Sequence, residues 1–263
     1  MNMNSADFTT VTEVPGILAS RRELSQMYTR YHWASKFVLG KRVLELACGS
    51  GPGLGFFLSE GASRVMGSDI EERNLRHARQ HYAGRPGLEF QIIDAHAIPV
   101  PDASFDVVVI FEAIYYLATP SAFFREAFRV LAPGGKLLVA TVNREWPQFN
   151  PSPFSLWYPS ARELSEALKA VGFEVVVKGG FPDERGSLIS RFVAVVRRMA
   201  IRLHLIPRTM KGKELFKRIF YGRLKPIPAE LKVGAYELEP LVAVDLNQAD
   251  TLHVFLYAEA TRG

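Results

Sequence analysis

The chain has 263 residues, 48% of them hydrophobic and 22% charged, which excludes wholesale disorder and suits one large α/β domain with an appended element. Its one cysteine, Cys48, excludes a disulfide framework and any Cys-x-x-Cys metal site, and it fits a reducing, cytoplasmic setting. The net charge of +5 is local: twelve of the 32 Lys and Arg fall between Arg185 and Lys225 against one acid, Glu214, so the rest of the chain is net acidic.

In chain order, residues 1–20 read as a loose polar arm without the basic-then-apolar start of a secretion signal. Helical spacing over 21–39 follows, carried by Leu24, Met27, Tyr28, Tyr31 and Phe37. Val43-Leu44-Glu45-Leu46 is a short apolar strand. A glycine-rich turn over 49–55 then enters a helix at Phe56-Phe57-Leu58. Residues 64–67 form a second strand and 71–82 an amphipathic helix. Residues 88–93 give a third strand. Residues 105–111 give a fourth, so dense in Val and Ile that both faces should be buried. A helix over 120–131 starts near Pro120. Pro133-Gly134-Gly135 turns into a fifth strand at 136–141, and a loop rich in Pro and aromatics covers 144–159. A helix over 160–171 ends at Gly172, before a sixth strand at 173–177. Residues 183–225 read as basic helices and 226–247 as irregular, and 252–258 form a last strand. No run of about 18 apolar residues marks a membrane-spanning helix.

This alternation predicts a doubly wound α/β fold with a mostly parallel, seven-stranded, Rossmann-like sheet and an antiparallel last strand. The expected units are an N-terminal arm and lid helix (1–40), an α/β core (41–182), a basic helical insertion or cap (183–250) and the final core strand (251–263).

In such a sheet ligands bind beyond the carboxyl ends of the strands, where the winding reverses. The residues there are Glu45 to Gly53, Asp69, Asp94-Ala95 and Glu112. Gly49, Gly51 and Gly53 permit tight turning and close ligand approach, and the next helix start offers N–H groups to an anion. Asp69, twenty residues after Gly49, suits a ribose diol. The dinucleotide spacing Gly-x-Gly-x-x-Gly fails in every register, because Leu54, Phe56 and Leu58 stand where the third glycine belongs. A nicotinamide-dependent oxidoreductase is therefore disfavoured.

Glu45-x-x-x-Gly49-x-Gly51-x-Gly53 instead resembles the first motif of class I S-adenosylmethionine-dependent methyltransferases, of the type 11/25-like kind. The resemblance extends through Ser68-Asp69-Ile70, Ile93-Asp94-Ala95, Phe105-Asp106-Val107-Val108, Leu131-Ala132-Pro133-Gly134-Gly135 and Ala170-Val171-Gly172-Phe173. It covers roughly residues 41–180 and the last strand. It implies that Glu45, Ala47, Gly49, Gly51 and Gly53 line the methionine half of S-adenosylmethionine. By the same resemblance Asp69 takes the ribose hydroxyls, Ile70 touches the adenine, and Asp94 and Ala95 read its polar edge. Phe111 and Glu112 would lie under the sulfonium and the amine. The run Tyr28, Arg30, Tyr31, His32, Trp33 resembles a subset of the family in which the first helix lids the cofactor with an Arg-Tyr pair, which brings Tyr31 into the cofactor set. Pro52 departs from the pattern by removing one N–H.

For the transfer step the candidates are Tyr115 and Tyr116, as aromatic faces for a cation, and His32, as a base for a hydroxyl acceptor. Packing is the competing reading for both tyrosines and for Trp33, and a solvated lid position for His32. His96 is a weaker base candidate. No metal site is expected. The acceptor expected is a small molecule or glycan, with O-methylation favoured. A lipid or lipid-linked acceptor is the alternative, reached through peripheral contact of 185–225 with an anionic membrane. Nucleic acid is disfavoured because no stacking platform accompanies the basic residues. A non-catalytic cofactor-binding module is the alternative of another class.

Overall fold

The structure is a computed structural model, and it describes residues 12–152, 154–183 and 224–263. A two-residue strand, β1 (Leu18–Ala19), precedes helix α1 (Arg21–Ser35). Ser20 and Glu23 form a reciprocal capping box at the start of α1, which fixes where the arm ends and the helix begins. The helix is shorter than the 21–39 expected: Phe37 and Val38 donate to Ala34 and Ser35 in tight turns, so 36–39 already lead out.

The core then runs β2 (Arg42–Leu46), α2 (Leu54–Ser59), β3 (Arg64–Asp69), α3 (Glu72–His81), β4 (Leu88–Ile92), β5 (Phe105–Phe111), a 3-10 turn (Ile114–Tyr116), α4 (Pro120–Val130), β6 (Leu131–Val142), α5 (Ala161–Lys169) and β7 (Phe173–Pro182). Strands β8 (Lys225–Pro226), β9 (Val242–Ala243) and β10 (His253–Arg262) complete it. The main sheet has order β4-β3-β2-β5-β6-β10-β7-β9, eight strands where seven were expected. The extra strand is β9, which pairs antiparallel with the edge of β7 at Lys178 and Gly179. Its alternation over two residues is too short to be read from sequence. A second small sheet joins β1 to β8, so the arm expected to be loose is tied to residues 225–226. Strand β6 also begins earlier than expected, running through Pro133-Gly134-Gly135 with a register break against β5 between Phe105 and Val107.

Alternation along the strands builds two cores. Val43, Val65, Val107, Val109 and Leu138 face α1, α2 and α3, where Phe56 and Phe57 are fully buried. Leu44, Val108, Ile110, Leu137 and Val139 face the other way, onto Phe123, Phe124, Leu164 and Leu168 of α4 and α5. Each fully buried side chain of this size stabilises the fold by roughly 1.5–3 kcal/mol. The neighbours β2 and β5 lead to opposite wings of the sheet, so the winding reverses between them, and their carboxyl ends open the crevice.

The helices expected in 184–223 lie outside the described residues. The described remainder of the expected cap, 224–250, contains no helix. It crosses the α1–α3 face, where Leu231 N–H donates to Pro52, Gly234 N–H donates to the Tyr28 hydroxyl, and Glu230 pairs with Arg85 and His81.

Candidate active site

The turn after β2 is a rigid shelf. Ala47 (φ 54°), Gly49 (φ 59°) and Gly51 (φ 71°) all take left-handed backbone. Cys48 N–H donates to Ser68 O, and the Tyr82 hydroxyl donates to Gly51 O at 2.9 Å. Gly53 has a packing requirement of its own: a Cβ there would stand 1.9 Å from the Tyr31 ring. It makes room for α1. Helix α2 is only six residues long, and its Gly55 N–H already meets the Tyr82 hydroxyl, so the expected anion cradle at its start is not built.

Above the shelf lies a cleft of about 340 Å³. Its inner end is a charged cluster. Tyr31 donates its hydroxyl to Glu45 Oε1 at 2.6 Å. Arg30, which is buried, forms an ion pair with Glu13 and lies with its guanidinium 5.6 Å from the centre of the Tyr31 ring. Burial lowers the Arg30 affinity for its proton, but Glu13, Tyr31 and Glu112 more than reverse this, so it stays charged. Burial pushes the Glu45 carboxyl up to about 8, against the pull of Tyr31 and Arg30. Burial likewise pushes Glu112 up to about 8, against Arg30. Glu112 sits at φ 52°, a costly backbone for a side-chain-bearing residue, at the very end of β5. Among the described residues, three buried polar atoms here have no partner: Arg30 Nε, Glu45 Oε2 and Glu112 Oε1.

The other end is more open and already satisfied. Asp69 accepts from Gly49 N–H (2.9 Å), Glu71 N–H (2.9 Å) and Asn74 Nδ2 (3.2 Å). Burial raises its carboxyl, and those bonds oppose the rise. Partial burial acts on Asp94 in the same direction, but the His96 amide (2.9 Å) and ring (2.6 Å) outweigh it and hold the carboxyl below its ordinary range. With Nδ1 turned to Asp94, Nε2 of His96 accepts from Thr119 N–H at 3.3 Å. Both ring nitrogens are engaged, so His96 serves to orient Asp94. Ile70, 52% exposed, forms the rim.

A third wall is aromatic. Tyr115 stacks on Tyr158 at 4.4 Å and meets Tyr116 edge-on at 4.6 Å. The Tyr116 hydroxyl is 2.7 Å from Ser152 Oγ, and the Tyr115 carbonyl accepts from Leu156 and Trp157, so the 144–159 loop pins the pair. Phe111 meets Tyr31 edge-on at 5.1 Å.

Twelve of the fifteen residues expected from sequence line this cleft: Tyr31, Glu45, Ala47, Gly49, Asp69, Ile70, Asp94, Ala95, Phe111, Glu112, Tyr115 and Tyr116. Gly51 and Gly53 shape the shelf from behind. His32 is a correction: it does not line the cleft, and its ring lies beside Tyr28, 5.9 Å between centres. One position on from Tyr31 turns a helical side chain about 100° away. Trp33 packs against Tyr257 in the core. Sequence reasoning passed over Glu13 and Thr12, which lie over the shelf: Ser50 Oγ donates to Glu13 O at 2.7 Å.

Residues 44–139 match the family model described as a methyltransferase domain. The "probable S-adenosylmethionine-dependent methyltransferase" of Mycolicibacterium smegmatis is 36% identical over 168 residues, 62% of this chain and 63% of that protein. The ubiquinone biosynthesis O-methyltransferase of Sinorhizobium fredii is 29% identical over 161 residues, covering 54% and 63%. The chain thus matches under two thirds of the length of these relatives. In fold it resembles the crystal structure of an S-adenosylmethionine-dependent methyltransferase from Thermotoga maritima, with a TM-score of 0.58, 18% identity, and 92% and 91% of the two chains covered.

Proposed function

The chain belongs to the class I S-adenosylmethionine-dependent methyltransferases, and from that premise we propose that it methylates a hydroxyl of a small organic molecule or glycan. The observation that carries this reading is the half-satisfied cluster at the ends of β2 and β5. A buried guanidinium nitrogen and two buried carboxylate oxygens without partners among the described residues suit the carboxylate, ammonium and sulfonium of one amino-acid-like ligand. Arg30 would hold the carboxylate, and Glu45 the ammonium. Asp69 keeps acceptor capacity for a ribose diol beyond its three hydrogen bonds. Asp94, fixed by His96, would receive the adenine amino group, with Ala95 beside it. S-adenosylmethionine supplies a methyl group already activated for transfer.

The residues of this chain have then to orient an acceptor and exclude water, and positioning of this kind can supply much of the rate. Tyr115 and Tyr116, held by the 144–159 loop, form a flat wall on which an aromatic or sugar ring can lie. Their faces also favour a nearby cation. The S. fredii relative is named for O-methylation and an Arabidopsis thaliana relative, 28% identical over 169 residues, for phosphoethanolamine N-methylation, so the acceptor atom is decided by experiment. Transfer of labelled methyl groups to paired panels of phenols, sugars and amines tests the reading. Labelling of hydroxyl compounds but not amines is expected, and labelling of amines alone would reject it.

The lipid-linked alternative rests on the basic run 185–225. Charge reversal of Arg198 and Arg202 should abolish sedimentation with anionic vesicles, and equal sedimentation before and after would reject that alternative.

A further inference from the structure

Building on the cofactor reading above, we propose that Glu112 is the exchangeable counter-charge of the site: ionised beside a sulfonium, protonated beside the thioether that remains, and therefore the group that takes the acceptor's proton.

Three carboxylates converge on one guanidinium, and they are not equivalent. Glu13 has Arg30 as its ion-pair partner at the rim, where its side chain is 43% exposed. Glu45 has the Tyr31 hydroxyl and is 1% exposed as a residue. Glu112 has no ion pair among the described residues, and its Oε1 has no hydrogen-bond partner. It is nonetheless fixed: its amide donates to Ala140 O at 2.9 Å, and its left-handed backbone sets the side chain off from the end of β5 into the cleft wall. The groups facing it are Arg30 from α1, Glu13 from the arm, Tyr115 and Tyr116 from the 3-10 turn, Tyr158 from the loop before α5, and Tyr257 from β10. Arg30 is the one cation in that set, and Glu13 already opposes it. The four tyrosines are all held neutral, with burial pushing each hydroxyl up. The ionised form of Glu112 therefore lacks a counter-ion of its own, and burial keeps its proton on to about pH 8.

A bound sulfonium supplies the missing cation, and the carboxyl then loses its proton to solvent. In the transfer a C–O bond forms between acceptor and methyl carbon. The C–S bond breaks with its electron pair passing to sulfur, and the hydroxyl proton passes to the Glu112 carboxylate. One positive centre is replaced by one proton, so the charge of the enclosed site does not change. The same exchange weakens the hold on the spent cofactor relative to the fresh one.

The test needs no turnover. S-adenosylmethionine and S-adenosylhomocysteine bring the same ammonium and carboxylate, so contributions from Glu45 and Arg30 cancel between them. Isothermal calorimetry at pH 7, in two buffers of different ionisation enthalpy, counts the protons released by each. The sulfonium ligand should release about one proton more than the thioether. Its relative affinity should rise by up to about tenfold per pH unit below pH 8. Glu112→Gln, checked for folding by circular dichroism, should bind both ligands and abolish the difference. Equal proton release in the unaltered protein would overturn the proposal without any variant, as would a difference that survives Glu112→Gln. Binding of both ligands with no proton difference overturns this proposal alone, whereas binding of neither overturns the cofactor reading and the proposal with it.

Discussion

At the adenine end of the cleft, Asp69 and Asp94 meet amide and side-chain donors of the chain itself, so their geometry is complete before any ligand arrives. At the methionine end, Glu45, Glu112 and Arg30 each retain a buried polar atom without a partner among the described residues. The first region is a preformed template, in which removing a residue loses a contact. The second is an incomplete charge cluster, in which removing a residue leaves the others worse off, because an uncompensated buried charge costs several kcal/mol. The contrast says where binding energy is stored: the ligand's charges complete what the protein leaves unfinished.

If that contrast holds, Arg30→Ala should do most damage. It strands Glu13 and, above about pH 8 where they ionise, Glu45 and Glu112 as well, so at about pH 9 stability should fall by about 3–5 kcal/mol in chemical denaturation, and cofactor binding should be lost. A loss below about 1 kcal/mol would mean that the acids carry no charge to compensate. Asp69→Ala should weaken the cofactor by roughly ten- to a hundredfold, about 1.5–3 kcal/mol, in titration calorimetry. Unchanged affinity would remove the ribose role. The pH response sharpens the comparison. Glu45 and Glu112 have folded-state values raised to about 8, so they stabilise the ligand-free fold most below the ordinary carboxylate range. That contribution is lost as pH rises through about 8. The ligand-free melting temperature should fall between pH 5 and 8, and a saturating cofactor should reduce the fall. A melting temperature that rises over this window contradicts the charge cluster. Asp94→Asn is the mildest: it keeps the shape, loses a charge already met by His96, and should cost under about 1.5 kcal/mol of binding.

The strand ends, the sheet and most of the cleft were legible because they depend on local patterns. Alternating Val and Ile in 105–111, the glycine spacing and the acids at strand ends each declare themselves within a few residues. What was missed depends on non-local partners. Gly53 reads as a ligand-facing glycine, yet the surface that needs the space is Tyr31 on α1. Glu13 reads as part of a polar arm, and only the fold shows that β1 pairs with β8 and carries the arm over the shelf to Arg30. His32 follows Tyr31 in sequence, but helical rotation puts it beside Tyr28. The short strand β9 has too few residues to show a period, and it became visible only through its pairing with β7.

The central claim is that this cleft holds S-adenosylmethionine with the Arg30 cluster closing on its amino-acid end. Calorimetric titration of the protein with S-adenosylmethionine, with NADH titrated in parallel and the Arg30→Lys variant alongside, tests it most directly. The account predicts one site per chain with a dissociation constant of about 10 μM or tighter, no heat with NADH, and markedly weaker binding in the variant, whose ammonium cannot reproduce the guanidinium fork. Equal binding of the two nucleotides, or no binding of S-adenosylmethionine by a folded protein, would contradict it.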